Sequence, residues 1–386
     1  MLFHMSVVGA IVLLFGGLVG LLGSWNAARP LIDPTRWYSP SWLPAMVTTE
    51  LAPFWFIVHG AVLAIGGGLG GWGNLGGAIG GWLLVASMVF LLWIMAGTAW
   101  SVRTMRRRLT GPVLRVAGRA NLIGRPIPTP PGVTEQLGVE WRSGLTSDIT
   151  RPAGDERRLP VMVYVHGGGW TGGDPQRQAR DMYHALALDG WVVVAIRYPF
   201  TPDVSVEHQI EVVKAGVRWV RTDLGEHGVD AHEVVLAGGS AGGHLATMAA
   251  ITADHPDEKV DACVGIYGIY DMANRNGTRA HWDTIANQVM RATVSAAPNR
   301  YDELSPLTQI TDRTPHMLVV HGTRDTLVPI AEAEQFVDAL EAAGRPVEYV
   351  PVPGAQHAFD AVSSPTSRTV AAVIRDHLRA HLTRDR

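Results

Sequence analysis

Charged side chains are missing from two long stretches of this chain. No Asp, Glu, Lys or Arg stands before Arg29, and none stands from Leu51 to Val102, a run of 52 residues. A bilayer core takes about 20 apolar residues as helix, so the second stretch is too long for one span and right for two joined by a tight turn. That turn is written in Gly70-Gly71-Trp72-Gly73-Asn74-Leu75-Gly76-Gly77. The pattern predicts helices over about 6–25, 53–71 and 77–100, an N-terminal three-helix transmembrane region occupying residues 1–102. Trp25, Trp55, Trp72, Trp82 and Trp100 fall near the expected ends, where indoles settle at the membrane–water boundary. Small residues four apart, Gly16/Gly20 and Gly77/Gly81, suit close helix packing in lipid. The Gly66–Gly71 tract reads as part of a span and not as a nucleotide loop.

The pattern then changes. Residues 103–135 read as a linker, basic at first and then rich in proline at Pro126, Pro128, Pro130 and Pro131. From 136 to 386 short apolar runs alternate with amphipathic ones. Val161–Val165, Trp191–Ile196, Val234–Ala237, Val260–Ile266, Met317–Val320 and Val347–Val350 read as strands, and Val206–Asp223 and Glu332–Ala343 as helices. Such alternation implies an α/β domain, a mostly parallel sheet with helices on both faces. The segment 271–306 interrupts it and reads as a cap over the site, with His281, Trp282 and Met290 in it.

Composition sharpens this picture. The chain has 386 residues, 47% hydrophobic and 17% charged, with net charge −3. There is no basic stripe for nucleic acid, no phosphate loop, no metal-ligand spacing and no cofactor motif. The single cysteine, Cys263, excludes an internal disulfide, which fits a reducing compartment. Arg29 and Arg36 follow the first span, and Arg103, Arg106, Arg107, Arg108, Arg115 and Arg119 follow the third; the hairpin between spans has none. Positive residues stay in the cytoplasm, so the pattern predicts a multi-pass cell-membrane protein with its N-terminus outside and its larger domain cytoplasmic. A basic run beside a span also suits anionic lipid headgroups. A cleaved signal peptide over 1–28 is disfavoured, because no basic residue opens it and two further apolar spans follow.

The candidate chemistry centres on Gly238-Gly239-Ser240-Ala241-Gly242-Gly243, which lies between an apolar strand and a helical run. A G-x-S-x-G in that setting resembles the nucleophile elbow of the α/β-hydrolase fold. Gly238 and Gly242 flank a turn too sharp for side chains. Upstream, His166-Gly167-Gly168-Gly169-Trp170 follows a strand and resembles the glycine loop that forms half of an oxyanion hole. Gly168, Gly169 and Ala241 are the candidate N–H donors. The acid and base of this fold follow the serine in the order Asp/Glu, then His. Asp325 stands just past the strand Met317–Val320; Asp312 precedes that strand and Asp338 falls mid-helix. After Asp325 only His357, His377 and His381 remain. The last two sit in a charged C-terminal helix and are expected to face solvent, so His357 is the candidate base. His166, His244 and His321 read as structural.

These motifs, with Tyr267-Gly268-Ile269-Tyr270-Asp271, Asp325-Thr326-Leu327-Val328-Pro329 and Gln356-His357-Ala358-Phe359-Asp360, resemble the hormone-sensitive-lipase-like esterases, and within them the membrane-associated Lip carboxylesterases of mycobacteria and related actinobacteria. The resemblance covers about 136–386 and implies a serine carboxylester hydrolase without cofactor, acting on short- or medium-chain acyl esters, lipid esters among the candidates. One position departs from it. Gly239 stands where many members of the wider family carry Asp, which leaves the triad intact and weakens transfer of substrate preference. An acyltransferase or amidase would use the same triad, and a non-catalytic membrane interaction protein would usually have lost part of it.

Overall fold

The computed structural model describes residues 2–29, 41–107, 109–113, 128–154, 159–224, 229–279 and 287–382. Arg36, Arg108, Arg115, Arg119 and Pro126, and His281 and Trp282 of the expected cap, lie outside the described residues.

Eight strands form one sheet: β1 (Val133–Arg142), β2 (Leu145–Pro152), β3 (Leu159–Val165), β4 (Val192–Ile196), β5 (Val229–Gly239), β6 (Ala262–Ile266), β7 (His316–Gly322) and β8 (Val347–Val352). Their order is β1-β2-β4-β3-β5-β6-β7-β8. β2 pairs antiparallel with β1 and β4, and the remaining pairs are parallel. Every residue of β3 is buried, so its apolar run does not alternate, as a strand covered on both faces requires. One face packs against α6 (Val206–Thr222), α7 (Ala241–Ile251) and α9 (Ala331–Ala342); the other packs against α5 (Arg180–Ala187) and α10 (Pro365–Leu382). The short α8 (Pro298–Glu303) lies between β6 and β7 in the chain. This is the layered α/β arrangement the alternation implies.

Ahead of the sheet stand α1 (Leu2–Ala28), α2 (Trp42–Glu50), α3 (Ala52–Gly68) and α4 (Leu75–Arg106). By length and composition α1 and α4 can each cross a membrane, and α2 with α3 makes a pair bent by 87°. The expected helices over 6–25, 53–71 and 77–100 correspond to α1, α3 and α4, with two differences. The helix α4 continues through 102 to Arg106, because arginines in a last turn complement the helix dipole and do not end it. The short α2 has no counterpart among the expected spans. Its Thr48, Thr49 and Glu50 spoil an apolar window, while Pro44 sits in the first turn, where a missing N–H breaks no ladder bond.

Helix α1 lies against α4 with almost no side chain between them. A Cβ on Gly80 would fall 2.3 Å from the Cα of Leu14, so only glycine permits this approach. A buried polar knot joins three helices: Ser87 Oγ lies 3.0 Å from Ser24 Oγ and 3.1 Å from His59 Nδ1.

The bundle is docked on the sheet domain. Met105 and Trp42 pack into the core on the α5/α10 face. The Thr110 and Gly111 N–H groups donate to Asp376 on α10, at 2.6 and 2.9 Å. The sheet begins at Val133, three residues before the expected edge at 136. One expectation is corrected here. His377 does not face solvent: it is buried on α10, its Nδ1 2.6 Å from the Glu348 carboxylate. The charged look of this helix hides the fact that its inner face closes over β8.

Candidate active site

The serine sits where β5 turns into α7. Ser240 has φ 55° and ψ −124°, a strained conformation for a residue with a side chain. Its N–H is fixed by the Ile266 carbonyl at 3.0 Å. The turn requires glycine at 242, where a Cβ would lie 2.1 Å from the Val165 carbonyl oxygen. The loop after β3 is seated on the same turn: a Cβ on Gly167 would lie 3.0 Å from that of Ser240.

His357 reaches Ser240 from the loop after β8. Its Nε2 is 2.9 Å from Ser240 Oγ, and its Nδ1 is 2.7 Å from Asp325 Oδ2. Asp325 follows β7, and its other oxygen accepts from the Leu327 and Val328 N–H groups at 3.0 and 2.8 Å. Burial pushes the Asp325 carboxyl up, but the charge of His357 and hydrogen bonds from His321 and His357 outweigh it and hold it down at about 2. An ionised acid on Nδ1 leaves the lone pair of Nε2 facing the hydroxyl, the tautomer a general base needs. The three candidates chosen by chain order are thus hydrogen-bonded in one line.

Gly168 and Gly169 hold positive φ values of 143° and 62° on the loop beside the elbow. Ala241 opens α7, where free N–H groups and the helix dipole favour negative charge. His166 is not turned toward the serine. Its ring stacks on Tyr198 at 4.5 Å between centroids, and its Nδ1 is 2.9 Å from the Gly167 carbonyl oxygen. Trp170 is buried and donates from Nε1 to His244 Nδ1 at 3.2 Å, and His244 Nε2 donates to the Leu304 carbonyl at 2.8 Å. Burial pulls His244 down to about 4, so it stays neutral and structural. His244 thereby ties α7 to the described part of the 271–306 segment, which also packs Met290 and Tyr301 into the core.

Several site residues escape sequence reasoning. His321 Nε2 bonds the Val328 carbonyl at 2.7 Å and lies 3.3 Å from Asp325 Oδ2, so it holds the acid from behind. The Tyr267 ring packs beside His357 at 4.8 Å, and its hydroxyl donates to the buried Asp360. Burial raises Asp360 to about 6. Both residues stand in motifs that carry the family resemblance, Tyr267–Asp271 and Gln356–Asp360, but nothing in the sequence pairs them. Trp42, from α2, sets its ring edge against His357 at 5.8 Å between centroids. Nothing in the sequence points to that contact. Among the described residues, one histidine cluster has metal-ligand proximity: the ligating atoms of His316, His377 and His381 lie within 4.8 Å of one another. It sits at the far end of β7 from Asp325 and takes no part in this site.

An elbow serine in line with a histidine and a buried aspartate, on a mostly parallel eight-stranded sheet, defines the α/β-hydrolase class. The BD-FAE family model matches residues 147–340, half of the chain. The chain belongs to that family. It is 36% identical over 239 residues to Esterase LipC of Mycobacterium tuberculosis, covering 58% of each chain. It is 33% identical over 282 residues to Esterase LipQ of the same organism, covering 70% of this chain and 64% of that one. The chain therefore spans about three-fifths of the length of these curated relatives. Among solved structures, a thermophilic esterase of Thermogutta terrifontis with butyrate bound is similar at TM-score 0.54 and 26% identity, over 65% of this chain and 94% of that one. A truncated carbohydrate esterase from gut microbiota shares the fold at TM-score 0.55 and 20% identity, over 63% of this chain and 96% of that one. The family match begins beyond the bundle.

Proposed function

We propose that this protein is a membrane-anchored serine carboxylester hydrolase, with Ser240 as nucleophile, His357 as general base and acid, and Asp325 as the group that orients and stabilises the imidazolium. The observation that carries the reading is the hydrogen-bonded line from Asp325 through His357 to Ser240. His357 takes the hydroxyl proton as Ser240 Oγ attacks the acyl carbonyl. N–H groups of Gly168 or Gly169, with that of Ala241, receive the oxyanion, each worth about 3 kcal/mol in the transition state. His357 then protonates the leaving alcohol, and water releases the acyl group by the same steps in reverse. The names of the relatives support an ester bond as the one cleaved.

Helices α1, α3 and α4 serve as the spans, with 103–135 joining them to a catalytic domain on the cytoplasmic side. Arg29, Arg103 and Arg106 all stand at the helix ends nearer the sheet domain, which supports this orientation. A fluorophosphonate probe should label the wild type and not Ser240→Ala. Labelling of both would sink the assignment of the nucleophile. Alkaline phosphatase fused after residue 125 should be inactive, and a fluorescent protein at the same place bright. The opposite pair of signals would reverse the orientation and leave the triad untouched.

A further inference from the structure

The bundle does more than hold the hydrolase near a membrane; it sets the active site against one. Helix α4 has 32 residues. At about 1.5 Å per residue it measures ~48 Å, against ~30 Å of hydrocarbon. Counted from Leu75, the hydrocarbon is crossed by about residue 94. Trp93 sits at that level, and the Arg324 guanidinium lies over its ring at 5.1 Å. Arg324 also reaches the carbonyl of Ala28, the last residue of α1, at 3.4 Å. Arg324 directly precedes Asp325. The strand end that carries the catalytic acid is therefore pinned to the helices at the depth where they leave the lipid.

Helix α2 completes this arrangement. It lies at 87° to α3, so it runs along the membrane plane when α3 crosses it. Leu43 and Pro44 on its outer side are exposed, Val47 is partly so, and none is charged. A short helix with an apolar outer face and a polar inner end, Thr49-Glu50, fits the headgroup–acyl boundary. The inner side of the same helix carries Trp42 onto His357. A cavity of about 470 Å³ opens beside it, lined by Thr49 and Glu50 at the end of α2, by Pro53, Met95 and Val102, and by Arg103 and Arg106. A largely apolar wall with two arginines suits an acyl chain beneath an interfacial headgroup.

We propose that the ester reaching Ser240 is carried by an amphiphile dissolved in the bilayer, a long-chain acyl ester that arrives from the lipid along α2 and not from bulk water. This rests on the serine-hydrolase reading and names its substrate class. Leu43 seats α2 in the interface without touching the triad.

The test uses the full chain reconstituted in phosphatidylcholine vesicles, with p-nitrophenyl oleate dissolved in the vesicles and p-nitrophenyl butyrate in the surrounding water. The wild type should cleave both. Leu43→Asp should lower the rate on the vesicle-borne ester by about tenfold or more, because a carboxylate lifts α2 from the lipid, and leave the butyrate rate within about twofold. The retained butyrate rate reports that the variant is folded. A wild type that cleaves butyrate and not oleate would overturn the proposal. So would a variant that lowers both rates alike or neither. A wild type that cleaves neither ester and takes no fluorophosphonate would instead overturn the hydrolase reading beneath it.

Discussion

The bundle and the sheet domain both carry long apolar runs, and they arrange them in opposite ways. On α1, Ile11, Phe15, Leu18 and Leu22 form an exposed stripe, and on α4 Trp82, Val89, Trp93 and Trp100 do the same. In the sheet domain Leu137 and Leu188 are the exposed large apolar side chains among the described residues. The difference is the one that a change of solvent would make. Water drives Leu159–Val165 into the interior by the hydrophobic effect. In the bundle α1 meets α4 by backbone contact at Gly80, and the Ser24–Ser87–His59 knot joins three helices, the means that suit helices able to sit in lipid, where no such drive acts between them. Chemistry needs a fixed and buried polar line, which the sheet domain supplies. The bundle sets Trp42 of α2 against that line.

The largest effect that would break this division of labour lies in the sheet domain. Ser240→Ala should cost on the order of 10⁶ in kcat on a soluble p-nitrophenyl ester, with an unchanged melting profile. Retention of a tenth of the activity would move the nucleophile elsewhere. Asp325→Asn should cost ~10⁴, because the amide no longer selects the imidazole tautomer. His377→Ala is the contrast: it removes a buried partner of Glu348 and should lower Tm while kcat stays within a few-fold. A large fall in kcat at unchanged Tm would give His377 a role that its position far from Ser240 does not explain.

The other two expectations probe the bundle. Gly80→Val forces a side chain into the α1 backbone and should destabilise the reconstituted protein by about 1–3 kcal/mol. Unchanged melting in detergent would mean that α1 and α4 are not in the contact described. The smallest effect concerns the seam between the two regions, where Glu50 is buried with only 4% exposure. Burial, and the charge of Asp360, push its carboxyl up from 4.5 to about 7 against the pull of Ser364 and Thr366. A raised folded value means stability that is complete below the unfolded value, near 4.5, and lost as the pH climbs through about 7. Between pH 5 and 8 the wild type should lose roughly 2–4 °C of Tm that Glu50→Gln retains. Equal pH slopes in the two proteins would remove Glu50 from the seam.

What the chain determines by itself is whatever rests on local chemistry. Charge-free stretches mark the helices that can span, because a charged residue in lipid is costly wherever the rest of the chain lies. Glycines at 238 and 242 mark the elbow, because the turn itself excludes a Cβ. Chain order singles out Ser240, Asp325 and His357 as candidates, since the strands that carry them are legible as apolar runs. Tertiary structure alone decides what depends on residues distant in sequence. It buries His377 on the inner face of a helix that looks solvent-facing, sets His321 behind Asp325, and stands a nine-residue helix with a proline in its first turn against the loop that carries His357. Trp42 meets His357 only because α3 bends away from α2 and α4 continues past its charge-free stretch into the α5/α10 core. Such contacts are set by how the two regions fit together, and neither region's pattern of apolar and polar residues encodes the other's shape.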